Sequence, residues 1–539
     1  MADERTRIPY GPTMLVLVVV AVLGSTGIAL FIPPQHDERL YLLMAREIDA
    51  PDFEIPRRPA IGGSHFIGNP PLVVFSASVS RAWLGDDHRA QRVFHILLFL
   101  PAFLVFTYRL TRFCFGPRAG LFSVLLAVLA EPVLAHAASV RLDLSLAAAV
   151  VAAMDLGLRS LHGGPRSRLC LVGSSVALGV AVFTKYEAIV IPLTFGLHGI
   201  HRSIVDRRIH GPSVRVLLGH TAASAVVLGG WFLWIANSPA DLAALGHVTD
   251  AHMVPPTFGE SVAKFLRILK RTVLFVGLPI FGLAILGGVV ALRRRRAGRR
   301  GRRAETVPFL LCWIASVMLL QFVIERSSDR HYLKMLPAVF ALAASVPALA
   351  MKLPRGRDER RMLIALAPLS AAYLCLQLGV SWPGAMTYGA LGFSVLLLLA
   401  SLARPVASHR LVRSVDWRPV AVLAAGLLLQ QLATPNNLNR FGPEMRTQDA
   451  NARGAGEWAR LQVGAEAAIL VQDTQFGIHA GRPFALGSTE GDLERLAERG
   501  VDVRAVIHHG AEPRNFAGFV HVRTVGEDVQ VHLRLPVPD

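Results

Sequence analysis

The sequence predicts a polytopic α-helical membrane protein that carries a small α/β domain at its C-terminal end. Of the 539 residues, 53% are hydrophobic, and the mean hydropathy is +0.45. Apolar stretches of about 18 residues or more, long enough to cross a bilayer, recur along most of the chain. From about residue 434 the composition instead becomes polar, with short β-like runs between helical segments.

Thirteen apolar segments are predicted to be membrane-spanning helices. They cover residues 12–32, 90–109, 118–137, 143–160, 169–183, 186–200, 215–236, 272–292, 306–324, 333–351, 361–380, 384–402 and 417–434. If the N-terminus is cytoplasmic and each segment crosses once, every short basic loop falls on the cytoplasmic side, as the positive-inside rule requires. The most basic of these loops is residues 293–303.

The charge distribution bears on possible partners. The net charge is +18, and it comes mostly from arginine because the chain has only five lysines. A soluble protein with a pI near 10.8 would suggest a nucleic-acid partner. Here the arginines lie in loops between apolar segments, which favours anionic lipid headgroups and argues against nucleic acid. The four cysteines are dispersed in or beside apolar segments and predict neither a disulfide framework nor a metal motif.

Three longer segments fall on the non-cytoplasmic side in this topology. Residues 33–89 form the first outer loop and alternate apolar and polar residues, which predicts amphipathic helices in the interface. Residues 237–271 form the second. Residues 435–539 form the third, a separate α/β domain outside the membrane domain of residues 1–434. Its predicted elements are helices at 450–462 and 490–498 and strands at 467–471, 501–508, 517–524 and 528–535.

Polar clusters occur where predicted spans end on that same side, and we expect them to converge on one cavity. They are Asp37-Glu38 with Tyr41, Arg141-Leu142-Asp143, Thr184-Lys185-Tyr186-Glu187, and Arg326 with Asp329 to Lys334. A carboxylate beside a hydroxyl can act as a general base, and Arg and Lys can stabilise a departing phosphate. Such a cavity suits glycosyl transfer from a lipid phosphate. Alternatively, each cluster is a solvated anchor or one half of a surface ion pair.

The ordered set of these motifs resembles the GT-C glycosyltransferases. It runs from Asp37-Glu38-x-x-Tyr41 through Asn69-Pro70-Pro71-Leu72, Arg141-x-Asp143 and Thr184-Lys185 to Arg330-His331-Tyr332-Leu333. The greatest similarity is to the bacterial lipid A aminoarabinose transferases and the protein O-mannosyltransferase-like group. It covers roughly residues 10–350, and the rest of the chain is similar in layout only.

The resemblance implies an inverting transfer of a sugar from a polyprenyl-phosphate donor at the outer face of the bacterial cytoplasmic membrane. The acceptor would be a lipid, a glycan or a protein. No metal and no cofactor are implied. The residue roles that the resemblance implies are a base at Asp37 within the Asp-Glu motif that includes Glu38, an orienting acid at Asp143, donor-phosphate contacts at Lys185, Arg330 and Tyr332, and further cavity positions at Tyr41, Arg141 and Asn69.

The sequence also departs from the family pattern. Asn69 stands where the family usually has a lysine, and Gly68 stands where the aminoarabinose branch has an acid. Tyr186 follows Lys185, where many members have glycine. These differences argue against a plain aminoarabinose transferase and leave the sugar and acceptor open.

Two other function classes remain open from the residues alone. A transporter or lipid flippase would place its polar residues near the middle of the bilayer, often on broken helices with internal symmetry. A non-catalytic envelope assembly protein would depend on its exported tail and tolerate changes at Asp37. The polar clusters of this chain instead lie at span ends, which favours the transferase.

Overall fold

The computed structural model describes a largely helical chain. The described residues are 10–31, 38, 41, 42, 45, 71–85, 87–235, 258–276, 278–296, 302–323, 329–350, 451, 454–463, 467–471, 484–486, 490–498, 502–509, 516, 517, 519–525 and 529–534. The predicted spans at 361–380, 384–402 and 417–434 lie outside this part of the chain.

The helices of the membrane part follow the predicted order. They are α1 (Tyr10–Phe31), α2 (Leu72–Leu84), α3 (His88–Phe115), α4 (Pro117–Leu129), α5 (Glu131–Ala137), α6 (Leu142–Leu161), α7 (Ser167–Thr184), α8 (Val190–Asp206), α9 (Gly211–Ile235), α10 (Phe258–Val276), α11 (Leu278–Arg296), α12 (Arg302–Val323) and α13 (Leu336–Ala350). Two 3₁₀ segments, η1 (Tyr186–Ile189) and η2 (Asp329–Met335), precede α8 and α13. Among the described residues, six helices are long and apolar enough to cross a membrane.

One predicted span is interrupted in the structure by a proline. The predicted span 118–137 is two helices, α4 and α5, separated at Ala130, whose backbone is extended. Pro132 lacks an N–H and its ring would clash with a carbonyl one turn earlier, so α4 cannot continue through it. The predicted span 272–292 overlaps the end of α10 and most of α11, and residue 277 between them lies outside the described residues.

Helix α6 lies at the centre of the helical bundle. In its most apolar stretch 83% of the residues are buried, against 17% for α9, which lies at the periphery. The sequence of α6 is rich in alanine, and small side chains allow neighbouring helices to approach closely. At Gly157 the approach is so close that a Cβ atom would collide with the ring of Phe195 on α8. The position of α6 therefore fixes the positions of the helices around it.

The first outer loop packs on the N-terminal end of α6. Leu42 and Ala45 form a small buried apolar cluster with Val73 of α2 and with Leu142. This contact holds the chain just after α1 next to the start of α6. Whether α2 lies in the membrane interface stays a prediction.

The C-terminal region folds around a mixed sheet. Its strands are β1 (Ala468–Val471), β2 (Phe484–Leu486), β3 (Val503–His509), β4 (Phe519–Val525) and β5 (Val529–Arg534), in the order β2-β1-β3-β5-β4. The β1–β2 and β1–β3 pairs are parallel, and β3–β5 and β4–β5 are antiparallel.

Helices cover both faces of this sheet. One face packs against the helix of residues 454–462, through Ala455 and Ala459, and the other against α14 (Glu490–Glu498), through Leu496. The predicted helices and four predicted strands all have counterparts here, whereas β2 was not predicted.

Candidate functional site

Asp143 lies at the N-terminal end of α6, in its first turn. A carboxylate there interacts favourably with the positive end of the helix dipole. Its side chain is 6% exposed. Its Oδ1 lies 3.6 Å from the Lys185 Nζ, and its Oδ2 lies 4.0 Å from the His136 Nδ1. Arg141 is the extended residue that precedes this helix.

Lys185 lies in the short connection between α7 and η1, where its extended backbone ends α7. Its Nζ lies 2.8 Å from the Glu187 Oε1 in addition to its contact with Asp143. Burial alone would lower the pKa of Lys185, but the neighbouring Glu187 and Asp143 carboxylates outweigh burial and hold this pKa above its usual range. The side chain therefore stays charged while it bridges two acids.

Glu187 is the shared partner of three basic side chains. Besides Lys185, it accepts a hydrogen bond from the Lys334 Nζ of η2 and lies 2.7 Å from the His331 Nδ1. Lys334 is almost completely buried. A buried ammonium group is costly unless it is paired, so Glu187 stabilises both lysines.

Several of these residues line a small pocket between α6, η1 and η2, which is closed in this conformation and has no room for a water molecule. Its lining residues are Asp143, Leu146, Glu187, His331 and Lys334. Within the described residues no group of three or more His, Cys, Asp or Glu side chains is arranged to hold a metal ion. The described polar side chains that line this pocket are two carboxylates, one ammonium group and an imidazole.

Tyr41 of the first outer loop is influenced by the same cluster. Burial raises the pKa of its phenol to about 12, while Lys185 lowers it and Asp143 raises it. The phenol therefore keeps its proton at neutral pH. A protonated hydroxyl at this position can donate a hydrogen bond into the site.

Glu38 is fixed in a buried ion pair with Arg92 of α3. The Arg92 Nε and Nη2 each donate to one Glu38 oxygen at 2.6 Å, and its Nη1 donates to the Ala29 carbonyl at 2.8 Å. The Val140 N–H also donates to Glu38, at 2.9 Å. This carboxylate therefore ties together the end of α1, the first outer loop, α3 and the segment that leads to Asp143.

The structure describes the other predicted site residues only in part. Asp37 and Asn69 lie outside the described residues. Arg330 lies in η2, but its side chain is outside the described part, whereas Tyr332 is completely buried in the main apolar core.

No functional role was predicted from the sequence for Glu187, His331, Lys334 or Arg92. The first three belong to the polar clusters that the sequence singles out, and Arg92 is a charged residue near the start of an apolar span. These were the signals that could have identified them.

Comparison with known families identifies part of the membrane region. The family model for dolichyl-phosphate-mannose-protein mannosyltransferases matches residues 68–228. This segment includes α3, α6 and the Lys185–Glu187 connection. No curated protein sequence matches the chain significantly.

Solved structures match over nearly the whole chain. The crystal structure of ArnT from Cupriavidus metallidurans bound to undecaprenyl phosphate is 17% identical, covers 96% of this chain and 97% of its own, and gives a TM-score of 0.67. The archaeal oligosaccharyltransferase AglB from Archaeoglobus fulgidus, in complex with an inhibitory peptide and a dolichol-phosphate, is 13% identical. It covers 92% of this chain and 69% of its own, with a TM-score of 0.51. At these identities the likeness establishes the fold.

Proposed function

The chain is a multi-pass membrane protein with the GT-C glycosyltransferase fold, and from this premise we propose that it transfers a sugar from a polyprenyl-phosphate donor to a lipid, glycan or protein acceptor. The reaction takes place at the outer face of the cytoplasmic membrane, and it inverts the anomeric configuration. The transferred unit is a hexose or a pentose.

The observation that carries this proposal is the convergence of two buried lysines on Glu187, whose carboxylate lines the pocket at the N-terminal end of α6. Lys185 and Lys334 come from different elements, yet both reach the Glu187 carboxylate. Ionisable groups buried in the membrane part of a protein are costly, and they are most often retained for function. Two ammonium groups beside a pocket suit a phosphate that gains negative charge as it departs.

In the proposed reaction Asp37 removes the proton from the acceptor hydroxyl as that oxygen attacks the anomeric carbon. The bond between this carbon and the phosphate oxygen breaks, and its electron pair leaves with the phosphate. Lys185 and Lys334 stabilise the polyprenyl phosphate that departs. Asp143 orients the donor or the acceptor from the first turn of α6.

Glu38 acts in this scheme as a positioning residue for its neighbour Asp37. Its carboxylate is saturated by Arg92 and the Val140 N–H, so it has little capacity left to accept a proton from substrate. The pair with Arg92 instead holds Glu38, the residue that follows Asp37 in the sequence, against α3 and the end of α1.

The test is a turnover assay with the purified chain in lipid nanodiscs. Radiolabelled polyprenyl-phosphate sugars are offered as a panel, with cell-envelope extract as acceptor. We expect the wild type to transfer label and Asp37→Asn to be slower by about 10²–10⁴-fold, the usual cost of losing a general base.

The matched control is Asp87→Asn. Asp87 is an exposed acid of the same outer loop whose side chain caps α3, and asparagine caps a helix about as well. This variant should keep full turnover. Full turnover by folded Asp37→Asn would remove the proposed base, and no transfer by wild type from any donor would contradict the proposed reaction.

A further inference from the structure

Glu187 has no role in the transfer steps above, although it contacts more charged groups than any other acid of the pocket. Lys185 and Lys334, the two lysines proposed to meet the phosphate, are both paired with its carboxylate. His331 lies 2.7 Å from the same oxygen as Lys185 contacts. The pocket is closed in this conformation, so a phosphate reaches the two ammonium groups only if they part from Glu187, and it must compete with Glu187 for both.

Among the described side chains, the two acids of the pocket and the two lysines paired with them balance in charge. With His331 neutral, the carboxylates of Asp143 and Glu187 offset the ammonium groups of Lys185 and Lys334. A donor phosphodiester adds one negative charge. The phosphate monoester that leaves carries about −1.5 to −2 at pH 7, so two lysines without a competitor would hold the product more tightly than the donor.

We infer that Glu187 competes with the lipid phosphate for Lys185 and Lys334. After transfer its carboxylate pairs with both lysines again, and this promotes release of the product. This inference rests on the proposed function. It makes Glu187 a positioning residue that acts through Lys185 and Lys334, and it makes release of the polyprenyl phosphate the step that this carboxylate accelerates.

A purely structural ion pair would behave differently, and α6 offers a matched control. Asp155 is also a buried carboxylate held by two cations, Arg109 and Arg159. It lies twelve residues beyond Asp143, about 18 Å along the helix. Asp155→Asn thus removes a buried, doubly paired acid without touching the pocket.

The experiment measures binding and turnover in parallel. Undecaprenyl phosphate is titrated into wild type, Glu187→Gln, Glu187→Asp and Asp155→Asn in nanodiscs at pH 7, and steady-state transfer is measured on the same preparations. We expect Glu187→Gln to bind undecaprenyl phosphate about tenfold more tightly, since it no longer competes for charge-assisted hydrogen bonds. Both kcat and the donor KM should fall in this variant, with a burst of product in the first turnover.

Glu187→Asp and Asp155→Asn are the comparisons for the affinity of Glu187→Gln. Glu187→Asp keeps the charge on a shorter side chain, so its affinity for undecaprenyl phosphate should lie between those of wild type and Glu187→Gln. It also serves as the test if Glu187→Gln does not fold. Asp155→Asn should leave the affinity unchanged in the folded fraction.

The outcomes separate this inference from the proposed function. If wild type binds undecaprenyl phosphate and transfers sugar, but both Glu187 variants bind the lipid no more tightly, the competitor role is wrong and the transferase stands. If wild type neither binds the lipid nor transfers sugar, both are wrong. Equal tightening by Asp155→Asn would also overturn the competitor role.

Discussion

Asp143 and Asp155 are buried carboxylates near opposite ends of one helix, yet their partners differ in kind. Asp155 accepts hydrogen bonds from the Arg159 Nε at 2.8 Å and the Arg109 Nε at 3.1 Å. Arg159 also donates to the Arg109 carbonyl and lies over the Phe113 ring. Asp143 instead has a lysine at 3.6 Å and a histidine at 4.0 Å.

Under the proposed function, Asp155 is a structural acid and Asp143 is an acid that serves a ligand. The planar guanidinium group of arginine fixes hydrogen-bond directions, whereas the lysine ammonium group is a point charge on a flexible stem. The Asp155 contacts therefore join α3 to α6 in one arrangement. In the proposed reaction, the contacts of Asp143, Lys185 and Glu187 are exchanged for contacts with a phosphate while the helices stay in place.

The largest effect is expected from the ion pair between Glu38 and Arg92, which combines a fixed hydrogen-bond geometry with a place beside the proposed site. Glu38–Arg92 has the fixed geometry of the Asp155 end but lies beside the proposed site. Arg92→Met leaves the Glu38 carboxylate buried without its partner, which typically costs about 3–5 kcal/mol. We expect a markedly lower thermal midpoint in detergent and loss of turnover.

The control for this prediction is Arg92→Lys, which keeps the charge but loses the bidentate geometry. It should lie between wild type and Arg92→Met in thermal midpoint. A wild-type midpoint for Arg92→Met would show that the ion pair does not tie α1 to α3.

Lys334→Met tests whether the lysine contacts near Asp143 stabilise the departing phosphate. Removing a group that stabilises transition-state charge typically costs about 10²–10³ in kcat, and we expect that loss in the transfer assay. The matched control is Lys264→Met, which removes a lysine of α10 that contacts the Phe322 ring and does not line the pocket. If the two variants lose the same activity, Lys334 has no special relation to the phosphate.

Gly157→Ala tests the packing that holds both ends of α6 in place. The added methyl group collides with the Phe195 ring and approaches Ser174, and overpacking typically costs about 1–3 kcal/mol. We expect a lower thermal midpoint with nearly normal turnover in the folded fraction. Gly196→Ala on α8, where a methyl group meets nothing within 4 Å, should leave the midpoint unchanged.

The smallest effect is expected in the C-terminal sheet, where the imidazole rings of His508 and His532 are stacked. The ring nitrogens of His508 and His532 lie 3.1 Å apart. Burial lowers the pKa of His532 to about 4, with smaller contributions from His508 and His521.

Because this pKa is lower in the folded state, the unfolded state binds more protons between about pH 6.5 and 4. The sheet should therefore lose stability as the pH falls through that window. Limited proteolysis of the full chain at pH 7 and pH 4.5 checks this, and His532→Gln should weaken the dependence. Equal cleavage of wild type at both pH values would contradict it.

Much of the fold could be predicted because it depends on local patterns. The hydropathy of α1, α3, α6 and α7 places these helices to within a few residues. The GT-C resemblance, based on short ordered motifs, is confirmed. The helix break before Pro132 was missed because it lies within one continuous apolar run, and β2 was missed because it has only three residues.

The partners within the site could not be predicted in the same way. Glu187 and Lys334 are 147 residues apart in the sequence, and Glu38 is 102 residues from Val140. Nothing local distinguishes a carboxylate that will meet two lysines from one that will meet solvent. The sequence grouped these residues on one side of the membrane, and only the packing of α6, η1 and η2 determines which of them touch.

The most direct test compares Lys185→Met with Asp155→Asn in one transfer assay, with rates divided by the folded fraction of each preparation. Lys185 meets Asp143 at the proposed site, and Asp155 lies at the structural end of the same helix. We expect the transfer rate per folded molecule to fall by about 10²-fold or more for Lys185→Met and to stay near the wild-type rate for Asp155→Asn. Comparable rates for the two variants would contradict the division of α6 into a functional end and a structural end.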